Sequence, residues 1–247
     1  MDKALYIAMT GAKHNMLAQS VHANNLANAN TTGFRADFAQ ARSMGVYHGD
    51  GHQSRAYALA ESPATDFSPG QMLSTGRDLD ITIRGNGLIA VQAPDGSEAY
   101  TRAGNLALGP NGELQTANGL PVLGDGGPIV LPPSEKIDIG IDGTITVLGA
   151  GEGAATLIQV DRIRLVNGDP KDMTKGKDGL IRNATGEPFE ADADIRLATG
   201  FLESSNVNPI NEFTEVLSLA RQYEMHIKMM KTVETNSEAS ARLLQTS

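Results

Sequence analysis

The chain contains no cysteine and no tryptophan, and aromatic residues make up only 4 % of it. Without cysteine there are no disulfides and no thiolate metal sites. So few rings leave little material for an aromatic-lined ligand pocket. No apolar run approaches ~18 residues, the length a membrane-crossing helix needs, so no membrane insertion is expected. Positive charge is also short: 20 Lys and Arg against 29 Asp and Glu give a net charge of −9. Nucleic acid and anionic membrane surfaces are therefore unsuited as primary partners, and Lys175 with Lys177 reads as a basic doublet in a turn. The opening makes a poor cleavable signal, because Asp2 and Lys3 cancel and the apolar stretch Ala4 to Met9 is too short. Any export would follow an uncleaved route.

What the chain has is a long N-terminal stretch of helix formers. Between Leu5 and Phe34 the only formally charged side chain is Lys13, and no proline interrupts. Leu5, Met9, Ala12, Met16, Ala23 and Leu26 form a heptad stripe, broken only by the polar Gln19. A helix from about Lys3 to Asn28 would extend roughly 39 Å. The asparagine cluster Asn24, Asn25, Asn28 and the following Gly33 and Phe34 are exit chemistry, since Asn and Gly tolerate the left-handed conformation. So narrow a stripe, rich in alanine, needs a second helix to lie against.

Arg35 to Ser74 is mixed, with scattered Gly and Pro, and reads as an extended linker or arm. From Thr75 the period changes to two. Leu79, Ile81 and Ile83 alternate with polar neighbours, and turn signals such as Pro94-Asp95-Gly96, Asn118-Gly119, Asp142-Gly143 and Asp178-Gly179 recur. Short strands with frequent turns predict an antiparallel β-domain. At Asn208 a second helix opens: Asn208 suits the N-cap, Pro209 the first turn, and Glu212 adds negative charge near the start. Phe213, Val216, Ala220, Tyr223, Ile227, Met230 and Leu244 carry its heptad, weakened at Glu234 and Ser237. Glu224 with Lys228 and Glu238 with Arg242 are spaced as i,i+4 pairs. The fold class is α+β. Terminal coiled-coil helices (1–34 and 205–247) bracket a linker (35–74) and a β-rich domain (75–204).

Sites for chemistry are scarce. Gly85-Asn86-Gly87-Leu88-Ile89-Ala90 matches a dinucleotide-binding spacing, but an alternating strand follows where that motif needs a helix, so a β-turn is expected. Asp138 to Gly143 resembles the start of a calcium loop, yet Gly149 stands where the bidentate glutamate belongs. His48-Gly-Asp-Gly-His52 could seat a metal but lacks a placed third ligand, and His14 and His22 read as polar-face residues. No catalytic constellation, metal site or cofactor site is assigned, and an enzyme is not expected.

The asparagine cluster carries the positive signal. Ala23 to Phe34, ANNLANANTTGF, resembles the N-terminal signature of bacterial flagellar rod and hook proteins. Leu79-Asp80-Ile-Thr-Ile-Arg-Gly85-Asn-Gly87 with Ala99-Tyr-Thr-Arg-Ala-Gly-Asn105 resembles that family's β-domain core. Ser205-Asn206-Val207-Asn208 with Arg221-Gln-Tyr-Glu224 resembles its C-terminal signature. Within the family, the opening nonapeptide, Ser68 to Met72 and Tyr223 to Lys228 look most like the proximal rod members, with the distal rod members as the alternative. The resemblance implies a structural subunit, exported unprocessed through the flagellar type III apparatus. It also implies partners among the other rod proteins, proximal and distal, and terminal helices packed into a periplasm-spanning drive shaft. The subunit-interface candidates are then the two heptad stripes, the asparagines Asn24, Asn25, Asn28, Asn206 and Asn208, and Gly33 with Phe34. A competing class, a soluble ligand-binding β-module dimerised by a coiled coil, explains the heptads but not the asparagine signature.

Overall fold

The computed structural model describes residues 3–39, 41–46, 55–60, 64–149 and 157–245. The fold is α+β, and the chain divides into two compact units. One holds Met1–Ala29, Ala36–Asp66 and Val207–Ser247; the other holds Asn30–Arg35 and Phe67–Asn206.

The first unit is built on α1 (Lys3–Ala27) and α2 (Pro209–Gln245). At 25 and 37 residues they extend about 38 and 55 Å. They run antiparallel: Gly11 meets His226, Asn15 meets Gln222 and His22 meets Glu212. The start of α2 follows the sequence, with Asn208 Oδ1 accepting from the Ile210 N–H at 3.1 Å and Pro209 opening the helix. Within the stretch read as a linker, Asp37–Phe38 pairs with Ala64–Thr65, and Ala41–Val46 forms an antiparallel ladder with Arg55–Ala60. The strand Arg55–Ala60 runs along α1. These strands fall within the helical unit.

The second unit is antiparallel throughout. Its largest sheet has the order Leu165–Val166, Leu88–Gln92, Glu98–Thr101, Ile181–Asn183, Met173–Lys175. Ser134–Ile139, Thr144–Gly149 and Leu157–Arg162 form a three-stranded sheet. Ile81–Arg84 pairs with Arg196–Thr199, and Met72–Ser74 with Phe201–Glu203. Leu88–Gln92 shows why one strand can be buried on successive residues. Ile89 and Val91 enter the main core with Ile81, Leu106, Leu114 and Ile145, while Leu88 and Ala90 join a second cluster around Tyr100 and Phe189. Each Val, Leu, Ile or Phe among them contributes about 1.5–3 kcal/mol on burial.

The motifs set aside on sequence grounds are turns. Gly85 and Gly87, at φ +86° and +136°, carry the chain from Ile81–Arg84 directly into Leu88–Gln92. Asp142 closes the turn before Thr144–Gly149. Its carboxylate accepts from the Thr144 hydroxyl at 2.7 Å and N–H at 3.2 Å, which holds its pKa below the usual carboxylate range. The His48–His52 stretch lies outside the described residues.

Candidate assembly surfaces

In the second unit three segments of distant sequence meet at one buried ionic cluster. Residues 30–35 bring Arg35, the loop after Glu98–Thr101 brings Arg102, and the end of Phe201–Glu203 brings Glu203. Arg35 Nη2 lies 2.7 Å from Glu203 Oε1, and Arg102 Nη1 lies 3.5 Å from Oε2. The side chains of Arg35, Arg102 and Glu203 are 3 %, 5 % and 3 % exposed. Burial pushes the Arg102 guanidinium down to about 10; Glu203 pulls it back up and Arg35 pushes it further down. The remaining polar atoms are matched by backbone. Arg35 donates to the Ser68 carbonyl, Arg102 to the Ile83 and Gly85 carbonyls, and the Gly70 N–H donates to Glu203 Oε1 at 2.9 Å.

The expected residues Gly33, Phe34 and Asn206 surround this cluster. The Gly33 N–H donates to the Glu203 carbonyl at 2.8 Å, and the Asn206 N–H to the Phe34 carbonyl at 3.4 Å. Gly33 has φ +68°, and a Cβ there would fall 2.3 Å from the Arg102 carbonyl carbon, so glycine is required on both counts. In sequence Lys175 is one half of a basic doublet in a turn. It stands 3.9 Å over the Phe34 ring and donates to the Arg35 carbonyl at 2.7 Å. Arg35, Glu203 and Lys175 escaped sequence reasoning because nothing in one dimension distinguishes a buried charge from a surface one.

In the first unit the α1–α2 seam differs from the apolar stripes. On α1, Leu5, Ala12 and Leu26 are buried or half-buried, and so are Ala8, Gly11, Asn15, His22 and Asn25. Met9 (49 % exposed), Met16 (64 %) and Ala23 point outward. On α2, Val216, Ala220 and Met230 turn inward with Leu219, His226 and Val233. Phe213 (53 %), Tyr223 and Ile227 (41 %) are exposed. The side chain of Leu244 lies outside the described residues. Gly11, Ala8 and Ala12 let the helices approach closely; small and polar residues share the inner face with Leu5, Val216, Leu219, Met230 and Val233, while Met9, Met16, Phe213 and Ile227 stay outside.

Polar contacts tie α1 to α2, to the strand Asp37–Phe38 and to its own end. His22 Nδ1 and Glu212 Oε2 are 2.6 Å apart. Asn25 is buried, and its amide pairs with the Asp37 backbone in both directions, donating to the carbonyl at 2.8 Å and accepting from the N–H at 3.0 Å. Asn28 donates to the Asn24 carbonyl at 2.9 Å and so satisfies a helix-end acceptor, while Asn24 and Asn208 are exposed. Among the described residues Glu224 and Lys228 form no ion pair, and no cluster of three His, Asp or Glu could hold a metal.

Comparison with known proteins turns on the same segments. A profile described as "Flagella basal body rod protein" matches residues 5–35 and ends on the buried Arg35. One for the "Flagellar hook protein FlgE/F/G D1 domain" matches 82–147, and one for the "Flagellar basal body rod FlgEFG protein C-terminal" matches 198–243. The flagellar basal-body rod protein FlgF of Salmonella typhimurium is 40 % identical over 100 % of both chains. The chain belongs to the flagellar basal-body rod protein family. Within it the FlgF type is the better match: FlgF of Caulobacter vibrioides is 36 % identical over 98 % of each chain. FlgG of Bacillus subtilis is 32 % identical over 94 % of this chain and 95 % of its own. The family is structural, and no helix among the described residues is long and apolar enough to cross a membrane.

Proposed function

We propose that the protein is a structural subunit of the proximal flagellar rod, part of the drive shaft that carries torque from motor to hook. It assembles with other rod components through its terminal helices, after export in uncleaved form by the flagellar type III apparatus. The observation that carries this reading is the outward apolar face of the helix pair. Met9, Met16, Phe213 and Ile227 are exposed although the helices already pack on each other. A lone chain gains nothing from such a face, whereas a subunit buries it against neighbours. The candidate contacts are therefore Met9, Met16, Ala23, Phe213, Tyr223 and Ile227, with the closing asparagine cluster at Asn24 and Asn28 beside them.

The full-length likeness to FlgF-type rod proteins supports the proximal position. Labelling the chain and locating it in purified basal bodies tests the reading. Label in the rod segment next to the motor is expected. Label confined to the hook-side segment, or absent from basal bodies, would overturn it.

A further inference from the structure

The helix pair is not symmetrical about its seam. On α2 the positions His226, Met230 and Val233 turn toward α1. Met225 and Met229 each precede a seam position by one residue and lie on one flank, both exposed. Arg221 and Lys228 accompany them at steps of four and three, exposed, and Lys228 enters no ion pair among the described residues. Glu234 and Glu238 fall on the other flank. There they rim an open groove of about 430 Å³, floored by Leu5 and Tyr6 of α1 and by Val233 and Ala241 of α2. One flank thus offers flexible apolar side chains with Arg221 and Lys228 beside them, and the other an apolar trough rimmed by Glu234 and Glu238, with Lys231 and Arg242 one turn away from the rim.

We propose that the occupant of this groove is a second copy of the same chain, which inserts its Met225–Met229 flank with Arg221 and Lys228 against Glu234 and Glu238. The inference rests on the reading of the chain as a rod subunit and specifies that subunit's neighbour. Methionine suits the role because its unbranched stem adapts to an irregular trough. The opposite charges fix orientation and disfavour groove-to-groove contact, which would oppose carboxylates. Because the two surfaces sit on opposite flanks, the contact is head-to-tail and propagates instead of closing as a dimer. Their centres are about ten residues apart on α2, which displaces successive parallel copies by ~15 Å along the helix.

The absence of native cysteine makes the test clean, since introduced thiols are the only ones on the chain. Met225→Cys/Ser237→Cys is expressed in place of the wild-type chain, and isolated basal bodies are oxidised. A ladder of disulfide-linked multimers of this chain is expected from the double variant and none from either single variant. Glu234→Lys/Glu238→Lys should abolish the ladder, and adding Arg221→Glu/Lys228→Glu should restore it. If the chain is in basal bodies but the double variant gives no ladder, or a single variant gives dimers, the proposed contact is wrong while the rod reading stands. An adduct with a different rod protein has the same meaning. Absence of the chain from basal bodies would overturn both.

Discussion

His226 lies so close over Gly11 that a Cβ at residue 11 would sit 2.5 Å from its Cε1 and 2.8 Å from its Nε2. Gly11 is therefore kept in a helix interior, where it costs about 1 kcal/mol relative to alanine, for the sake of a close crossing. Gly11→Ala should lower the stability of the helix pair by up to about 2 kcal/mol, an overpacking cost of roughly 1–3 kcal/mol less the ~1 kcal/mol that alanine gains in a helix. With His226→Ala as background the same change should raise stability by up to about 1 kcal/mol. A double-mutant cycle in urea checks the reversal of sign.

The buried cluster in the second unit makes a prediction of a different size. Glu203→Ala leaves the guanidinium groups of Arg35 and Arg102 buried without their shared carboxylate. The expected loss is about 3–5 kcal/mol. Lys175→Ala removes a contact over the Phe34 ring and a backbone hydrogen bond, with an expected loss near ~1 kcal/mol from these two. Equal effects of the two changes on the unfolding midpoint would contradict the assignment of the cluster.

Tyr100 gives the second unit an alkaline signature. Its hydroxyl donates to Glu98 Oε1 at 3.0 Å and accepts from the Phe189 N–H at 2.7 Å. Burial is the main reason its pKa is pushed up to about 12, and Glu98 adds to the rise while the Phe189 bond opposes it. The folded chain then keeps a proton that the unfolded chain loses near pH 10. This contribution is complete below about pH 10 and is lost as pH rises toward 12. Arg102 acts in the opposite sense over the same window, so the comparison must be made against Tyr100→Phe. Tyr100→Phe should cost about 1–3 kcal/mol at pH 8, through the unpaired Phe189 N–H, and the difference from wild type should shrink by pH 11.5.

The amide of Asn25 is a third anchor. Asn25→Asp keeps the acceptor for the Asp37 N–H but sets an oxygen against the Asp37 carbonyl, with an expected cost of about 1–3 kcal/mol. Faster proteolysis near residues 36–66 is the measurement.

Much of this was legible in one dimension. Period two from Leu79 onward, punctuated by glycine turns, predicts the antiparallel unit, and Asn208-Pro209 predicts the start of α2. The helices are where their composition puts them, and their inner face follows the apolar stripes only in part: Leu5, Ala12, Leu26, Val216, Ala220 and Met230 turn inward, the other described stripe residues do not. Met9, Met16, Phe213 and Ile227 satisfy the apolar heptads, yet Ala8, Gly11, Asn15 and His226 hold the helices together. Hydrophobicity marks every face that avoids water, without saying whether it does so within a chain or between chains. Gln19 breaks the apolar stripe in sequence, yet it is half-buried. The Arg35–Glu203–Arg102 cluster was invisible for another reason: its members are separated by 168, 67 and 101 residues, and only the fold brings their charges together.

The central claim is that the outward apolar face of the helix pair exists for neighbouring subunits. Phe213→Ser and Ile227→Ser change side chains that are exposed in the single chain. Each should therefore alter its folding stability by no more than about 0.5 kcal/mol. Incorporation into purified basal bodies, with secretion followed separately, is the direct measurement, and Glu187→Ala on an exposed turn is the control. The account predicts that both serine variants are secreted and folded but missing from the rod, while the control enters normally. Wild-type levels of Phe213→Ser and Ile227→Ser in the rod would contradict it.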